Sequence, residues 1–520
     1  MNERESLSSR LGFLLLSAGC AIGIGNVWRF PYITGECGGG IFVIIYLLFL
    51  CILGIPIVTM EYAVGRASRK SILPAFKALE PKNSKWHLIG YLAMAGNYIL
   101  LMYYSVVSGW FLYYFYLMIK GEFVNINSEA VKSIHDNMLA SPSILIGAML
   151  CIMILTILIC SAGLEKSVEK ITKYMMLFLI VLMLVLGIRS LSLPAAKEGL
   201  SFYLKPSLEN VKNTGIIKII YYALNQSFFT LSIGIGSMLI FGSYIGKERS
   251  LLGEASIVAG LDTFVAFVSG LIIFPACFNY GIAPDQGPSL IFLTLPRVFS
   301  SMPGGRIWGS LFFLFLTFAA LSTMIGVFEN DISFAIDILK VSRKKAALFT
   351  GLVITLGSVP CALGYNLLKS FLPSTSENLI FDVEDFFVSK LCLPLGSLVF
   401  ILFCTSKYGW GFDKYLTEIN TGAGIKMPRF LSFYFKYILP LVVAFIAIYG
   451  LVTFHQLSWW FISAPHKGQL LPCPKGRCRK RVTGPPYKAA PFESSFCDSS
   501  DCSLMYFCTA SSVILPIVST

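Results

Sequence analysis

Apolar residues gather into eleven long runs, near residues 11–36, 39–64, 87–119, 143–160, 166–189, 214–244, 251–281, 306–339, 347–364, 384–406 and 429–454. A run of about 20 apolar residues is long enough to cross a bilayer as a helix. The pattern therefore predicts an all-α polytopic membrane protein of about 11 transmembrane helices, numbered here as spans 1 to 11. Two of the runs are interrupted. Span 1 contains "SAGCAIGIGNVWRFP", with Gly19, Gly23, Gly25 and Asn26, and span 6 contains "NQSFFTLSIGIGSM", with Thr230, Ser232, Gly234 and Gly236. In hydrocarbon an unpaired backbone amide or carbonyl is costly, so irregular backbone survives only where it lines a cavity or a ligand replaces the lost bonds. Close packing through small residues explains one such run. Two of them, each first in a successive set of five spans, predict two corresponding halves with broken helices 1 and 6 and a binding site near the midplane, the pattern of a secondary transporter. Residues 1–190 then form the first five-helix repeat, 191–428 the second, 429–462 span 11, and 463–520 a remainder of different character. Broken ends offer N–H groups to an anion and bare carbonyls to a cation. A carboxylate substrate carried with a small hard cation suits both.

Composition agrees with this pattern. The chain has 520 residues, 56% of them hydrophobic and 13% charged, with a mean hydropathy of +0.73, too apolar for a soluble core of this size. Nine of the fourteen Cys, from Cys20 to Cys404, lie in or beside apolar runs, where a thiol acts as a small hydrophobe and argues for no disulfide framework. The opening "MNERESLSSR" mixes charge signs, and no small-residue cleavage site follows it, so no removable signal peptide is expected.

Charge sets the predicted topology. Arg66, Arg69, Lys70, Lys77, Lys82 and Lys85 follow span 2, and Lys247 and Arg249 follow span 6. Lys340, Arg343, Lys344 and Lys345 follow span 8, while Lys407, Lys414, Lys426 and Arg429 lie between spans 10 and 11. All four loops fall on one side of an eleven-span chain. The bias predicts a multi-pass protein of the cell (inner) membrane with a cytoplasmic N-terminus. The net charge of +13 then reflects topology and contact with anionic membrane lipid, not nucleic acid.

The segments "RLGFLLLSAGCAIGIGNVWRFPY", "GGGIFVIIYLLFLCILGIPIVTMEYAVGR", "QSFFTLSIGIGSMLIFGSY" and the loop "GPSLIFLTLP" resemble the neurotransmitter:sodium symporter family, specifically its bacterial amino-acid branch, over residues 4 to 455. The resemblance implies a 5+5 inverted repeat of spans 1 to 5 and 6 to 10, sodium-coupled amino-acid symport by alternating access, two sodium sites and no organic cofactor. Its first sodium site maps to the Ala21 carbonyl, Asn26, Thr230, Asp262 and the substrate carboxylate. Its second maps to the carbonyls of Gly19, Ile22 and Ala319 and the hydroxyls of Ser322 and Thr323. Both sets are oxygen-only, as a hard cation requires. Read alone, Ser322 and Thr323 are helix-packing hydroxyls.

An ionisable residue in mid-span is a functional hypothesis by default. Asp262 also departs from the asparagine found here in several relatives. Chloride-dependent relatives hold their anion near positions matching Tyr46, Gln226 and Thr230, and a carboxylate at 262 supplies that charge permanently, which predicts chloride-independent transport. Gly23 replaces the aspartate of monoamine transporters and so favours an amino acid over an amine. The resemblance implies Ile24, Gly25 and Tyr104 at the substrate carboxylate and Ala21, Phe229 and Thr230 at its amine. The implied side-chain pocket is Leu100, Phe229, Ser232, Ile235, Thr323, Gly326 and Val327. The small Gly326 and Ile235 point to a bulky hydrophobic or aromatic substrate. Arg29 and Asp385 match an outer gate with Gln226 bridging nearby, and Arg4 and Asp337 match an inner gate with Tyr244 beneath. Glu61 is expected to hold the broken backbone of span 6.

The remaining sequence narrows the alternatives. A sodium-dependent amino-acid sensor that binds without transport would keep the site but need no second gate. An enzyme is disfavoured, because none of His87, His135, His455 and His466 sits beside a Cys or carboxylate cluster within a span. The glycine runs lack the Lys-Ser/Thr of a phosphate loop. No oligomeric state follows. After "FHQLSWWFIS" the family pattern stops, and "PCPKGRCRKRVTGPP" begins a Cys, Pro and basic segment that reads as a disordered tail or an out-of-frame end. The two C-x4-C pairs, Cys473 with Cys478 and Cys497 with Cys502, are too loosely set for a zinc site. The run from Leu504 to Val518 is short and holds Pro516, which argues against a twelfth span.

Overall fold

The computed structural model describes residues 7–207, 211–212, 214–281, 290–369 and 378–463. The segment 464–520, with the tail motifs, lies outside the described residues, as do Arg4 and Gly287 to Ser289 of the "GPSLIFLTLP" stretch.

Among the described residues the chain is helical and contains nine unbroken helices long and apolar enough to cross a membrane. They are Gly40–Ser68, Trp86–Lys120, Pro142–Ser161, Ser167–Leu191, Leu251–Asn279, Gly305–Leu339, Arg343–Leu363, Leu379–Thr405 and Arg429–Leu451, which are spans 2 to 5 and 7 to 11. Span 1 is a bent pair, Arg10–Ala21 and Gly25–Glu36, with 55° between its halves. Span 6 consists of Ile216–Thr230 and Ser237–Gly242 separated by six turn residues. The eleven predicted runs are thus eleven spans, with both interruptions where the glycines fall.

Each break has a local cause. In span 1 the helix ends where Ile22 turns to extended backbone (ψ 101°). The chain restarts once the Gly23 N–H is taken by the Asn26 side chain at 3.1 Å. In span 6, Ser232, Gly234 and Gly236 all have positive φ, at 50°, 96° and 77°. That conformation is easy for glycine and uncommon for serine. The freed amides of the second half-helix point at span 2, where the buried Glu61 carboxylate accepts from the N–H of Gly234, Met238 and Leu239 at 2.5, 3.1 and 3.2 Å. Asn97 of span 3 completes the repair by donating to the Ile235 carbonyl at 2.7 Å. Asn97 went unremarked in the sequence, yet an amide inside an apolar run is the same signal that marked Asn26.

The broken spans lie at the centre, packed against spans 2, 7 and 8, whereas spans 4, 5, 9 and 11 turn apolar side chains outward, among them Leu158, Ile188, Leu352 and Leu441. Glycine permits the closest central contacts. A Cβ on Gly65 would lie 1.9 Å from the Leu239 carbonyl oxygen, and one on Gly396 would lie 1.8 Å from that of Gly234. Five short helices, Ile72–Leu79, Ser128–Ala140, Ala196–Leu204, Leu295–Ser301 and Phe412–Ile419, occupy segments the apolar pattern left as loops. They are too short or too polar to register as spans. The described part of the "GPSLIFLTLP" loop is likewise helical from Leu290.

The loops after spans 2, 6, 8 and 10 meet at one end of the bundle, the basic end. Two of their cations are not headgroup contacts at all. Arg66 is buried, bonded to Glu418 at 2.6 Å and to the Arg249 carbonyl at 2.7 Å. Arg343 opens span 9 and binds the fully buried Glu329 of span 8, at 3.0 Å through Nη1. Apolar patterning counts these residues as loop charges because their acidic partners are distant in sequence.

Replacing Glu61 by Ala leaves three buried amides without their acceptor. A charged hydrogen bond is worth about 1.5–3 kcal/mol, so Glu61→Ala is expected to lower the unfolding temperature in detergent markedly. Glu61→Gln, which keeps one acceptor oxygen, is expected to lower it less.

Candidate functional site

The break in span 1 gathers two groups of polar atoms around its bare ends. Asn26, Thr230 and Asp262, all buried, come from spans 1, 6 and 7. The Asn26 amide donates to the Thr230 hydroxyl at 3.0 Å and to the Asp262 carboxylate at 2.8 Å, and the Thr230 hydroxyl donates to the other carboxylate oxygen at 2.9 Å. The cluster holds one formal negative charge with no basic side chain in hydrogen-bonding contact. Such a group needs a cation or a proton to be tolerable inside a membrane.

The second group lies between spans 1 and 8. The Thr323 hydroxyl donates to the carbonyls of Ile22 at 3.1 Å and Gly19 at 3.4 Å. Ser322 donates to Ala319 at 2.9 Å and reaches Ile22 at 3.4 Å. These are five residues offering oxygen alone. The span 1 break frees two of the carbonyls, and both hydroxyls can rotate to present lone pairs, so the donor chemistry fits a hard monovalent cation.

Between the two groups is a cavity of about 20 Å³, room for roughly one water molecule. It is lined by Ala21, Gly23, Gly25, Leu100, Tyr104, Phe229, Ser232, Ile235, Thr323, Val388 and Leu393. Eight of these are among the residues expected from the sequence. The Ile24 N–H donates to the Tyr104 hydroxyl at 3.0 Å. Gly23 is sterically obligatory, since a Cβ there would lie 2.3 Å from both the Thr323 and the Tyr104 hydroxyl oxygens. Gly25 lets the Phe229 ring lie flat on the backbone, 2.9 Å from where a Cβ would be.

Some expectations change. Ile24, Thr230, Gly326 and Val327 are buried but do not line the cavity. A Cβ on Gly326 would lie 2.5 Å from that of Cys20, so its small size serves the packing of span 8 against span 1 and adds no room for a substrate. Gln226 does not bridge the charged pair; its amide donates to the Gly25 carbonyl at 2.8 Å. Val388 and Leu393 of span 10 join the lining although nothing in their apolar surroundings distinguishes them.

Toward the end opposite the basic loops, Phe229 and Tyr104 also line a second cavity of about 340 Å³, together with Trp28, Arg29, Tyr103, Asp385 and Lys390 among others. The two rings therefore form the partition between the cavities. The Arg29 guanidinium lies 4.2 Å from the Phe229 ring centroid. It makes no ion pair with Asp385; Ser389 stands between them, 3.5 Å from Arg29 and donating to Asp385 at 2.7 Å. At the basic end, Asp337 accepts from the Ser71 N–H at 2.7 Å, and the Tyr244 hydroxyl donates to Glu329 at 2.8 Å. The Glu329–Arg343 pair was not foreseen in the sequence.

The family described as "Sodium:neurotransmitter symporter family" matches residues 4–125 and 122–472. The uncharacterized sodium-dependent transporter YhdH of Bacillus subtilis is 32% identical over 460 residues, 87% of this chain and 100% of that protein. An uncharacterized sodium-dependent transporter of Haemophilus influenzae is 32% identical over 465 residues, 86% of this chain and 98% of that protein. Among solved structures, MhsT in complex with L-phenylalanine superposes with a TM-score of 0.77 at 36% identity, covering 86% of this chain and 99% of that one.

Because a side chain at position 23 would collide with two of the hydroxyls that line the cavity, Gly23→Ala is expected to abolish sodium-dependent ligand binding while leaving the purified protein monodisperse. Scintillation proximity binding alongside size-exclusion chromatography checks both halves of that expectation.

Proposed function

The chain belongs to the sodium:neurotransmitter symporter family and is a sodium-dependent transporter, not an enzyme; on that premise we propose that it takes up a hydrophobic, bulky or aromatic, amino acid together with two sodium ions and without chloride. The observation that carries the reading is the pair of oxygen sets on either side of one apolar-walled cavity, both built on the broken backbone of span 1.

The substrate carboxylate meets the Tyr104 hydroxyl and the amides of Ile24 and Gly25, and reaches the first sodium ion beside Ala21, Asn26, Thr230 and Asp262. Gly23 leaves no space for a side-chain carboxylate that would select an amine. The substrate's own charge thus completes the first ion site, and substrate and sodium stabilise each other. The second ion, at Gly19, Ile22, Ala319, Ser322 and Thr323, ties span 1 to span 8. Leu100, Ile235, Val388, Leu393 and Phe229 surround the substrate side chain, which calls for an apolar one. The L-phenylalanine bound by MhsT supports the same class.

Direction and driving force follow from charge. With the basic end facing the cytoplasm, the larger cavity faces outward and Arg29, Asp385 and Phe229 close over the substrate, while Asp337 and Tyr244 control the inner end. Moving one charge through 100 mV is worth about 2.3 kcal/mol, so two sodium ions with a zwitterion gain roughly 4.6 kcal/mol, about three decades of accumulation before the sodium gradient is counted.

The deciding experiment is uptake of labelled amino acids into proteoliposomes under an inward sodium gradient. Accumulation of phenylalanine, tyrosine or tryptophan is expected, undiminished when gluconate replaces chloride. Saturable sodium-dependent binding without accumulation would refute uptake, and loss of uptake in gluconate would refute chloride independence. Asp262→Asn is expected to make residual uptake depend on chloride. The double change Ser322→Ala with Thr323→Ala is expected to raise the sodium concentration for half-maximal uptake at least about tenfold, the equivalent of one lost ligand interaction of about 1.4 kcal/mol.

A further inference from the structure

Among the described residues, the buried acids in and around the spans are met by donors, with one exception. Glu61 has three backbone amides, Asp262 has Asn26 and Thr230, Glu329 has Arg343 and Tyr244, Glu254 has Arg10, and Glu169 has Ser8 and Ser9. Asp331 of span 8 is 0% exposed, and neither of its carboxyl oxygens has a hydrogen-bond partner. Both amide atoms of the adjacent Asn330 are equally without one. In electrostatic reach of Asp331 is the Tyr98 hydroxyl of span 3, itself 3.5 Å from the Thr350 hydroxyl of span 9.

We propose that Asp331 is a proton-binding site, buried where spans 3, 8 and 9 meet, and that it carries its proton in this packed arrangement of the helices. An ionised carboxylate with no donor is among the most costly groups to keep inside a membrane protein, and taking up a proton removes the cost. Sodium is a poorer occupant. A hard cation asks for about six oxygens, and at the span 1 break those come from carbonyls released by the broken helix. Span 8 runs unbroken through Asp331 from Gly305 to Leu339, so its carbonyls stay in the helical ladder, and the two nearby hydroxyls already face each other.

Among the described residues, no cation on a neighbouring element is free to neutralise Asp331. Arg343 of span 9 is committed to Glu329 and the Cys160 carbonyl. Lys77 of the helix Ile72–Leu79 is exposed. On span 6, Tyr244 bonds Glu329 and Ser333, and on span 8 itself Asp337 accepts from Ser71. Asp331 lies eight residues beyond Thr323, about 12 Å along the helix, so it is separate from the proposed sodium ligands while riding on the same rigid element.

Infrared spectroscopy of the full chain in lipid nanodiscs tests this without reference to transport, in sodium and in choline buffer, with wild type, Asp331→Asn and Asp331→Leu. The carbonyl stretch of a protonated carboxyl is expected in the wild type in both buffers and should fall by one carboxyl's intensity in either variant. An unchanged band in both variants would overturn the proposal. A band seen in the wild type only after sodium is withdrawn would also overturn it, and would assign the site to sodium. Isotopic labelling of the wild-type aspartates supplies a check that needs no variant: absence of any label-shifted protonated band rejects the proposal outright.

Discussion

Everything at the centre of this bundle depends on what satisfies the backbone groups that spans 1 and 6 release. Hydrocarbon supplies no partners, so the protein must. The two breaks are handled differently. The amides freed in span 6 are taken by the Glu61 carboxylate, a charged acceptor with three bonds and no freedom to leave. The carbonyls freed in span 1 are met by the hydroxyls of Ser322 and Thr323 over 3.1 to 3.4 Å. A hydroxyl has one proton and two lone pairs, and it rotates. It can donate to a carbonyl when no ion is near, and join that carbonyl as a ligand when one arrives. Span 6 is therefore repaired permanently and span 1 provisionally, so that on the proposed reading a bound ion can rearrange the backbone of span 1.

The ends of the molecule differ in the same sense. Buried ion pairs knit the basic end: Arg66 joins spans 2 and 7 to the helix Phe412–Ile419, and Arg343 joins span 9 to Glu329 of span 8. Removing one member of such a pair strands the other, so these contacts change together or not at all. At the opposite end Ser389 stands between Arg29 and Asp385 beside a cavity of about 340 Å³, and the Phe229 ring under Arg29, with the Tyr104 ring, separates this cavity from the smaller one. The molecule is tied at one end and hollow at the other. In the proposed cycle the substrate enters from the hollow end, and the work of opening falls on the ion pairs at the basic end.

Much of this was legible in the sequence because membrane folding leaves coarse signals. Apolar run length located all eleven spans, and glycine with asparagine inside a run located both breaks. The side chains proposed to bind ions were reachable only through family resemblance, since Thr230, Ser322 and Thr323 look like ordinary packing hydroxyls when read singly. The short helices such as Ser128–Ala140 escaped because they carry neither the length nor the apolarity of a span. Arg66 and Arg343 were read as loop charges because a pairing between residues 352 or 14 positions apart leaves no trace in local pattern. Val388 and Leu393 were missed for a related reason: in an apolar stretch, facing a cavity and facing a neighbour look alike.

Gly23 and Gly326 show where reading size from residue type breaks down. Both are small residues near the pocket, and the simplest inference treats each as space for a ligand. At Gly23 the missing side chain keeps the Thr323 and Tyr104 hydroxyls in reach of the broken backbone, so the glycine is required by polar geometry. At Gly326 the missing side chain is filled by Cys20 of span 1, and the glycine is required by helix packing. Neither creates room. On the proposed reading, selectivity among hydrophobic substrates must then come from the residues that do border the cavity, Leu100, Ile235, Val388 and Leu393. One methylene in such a pocket discriminates by only about 1 to 3 kcal/mol, which favours a class of hydrophobic amino acids over one member of it. A cavity of about 20 Å³ also means that any of them enters only by moving these side chains or the Phe229 ring. Admission of the substrate and rearrangement of the partition are consequently the same physical event.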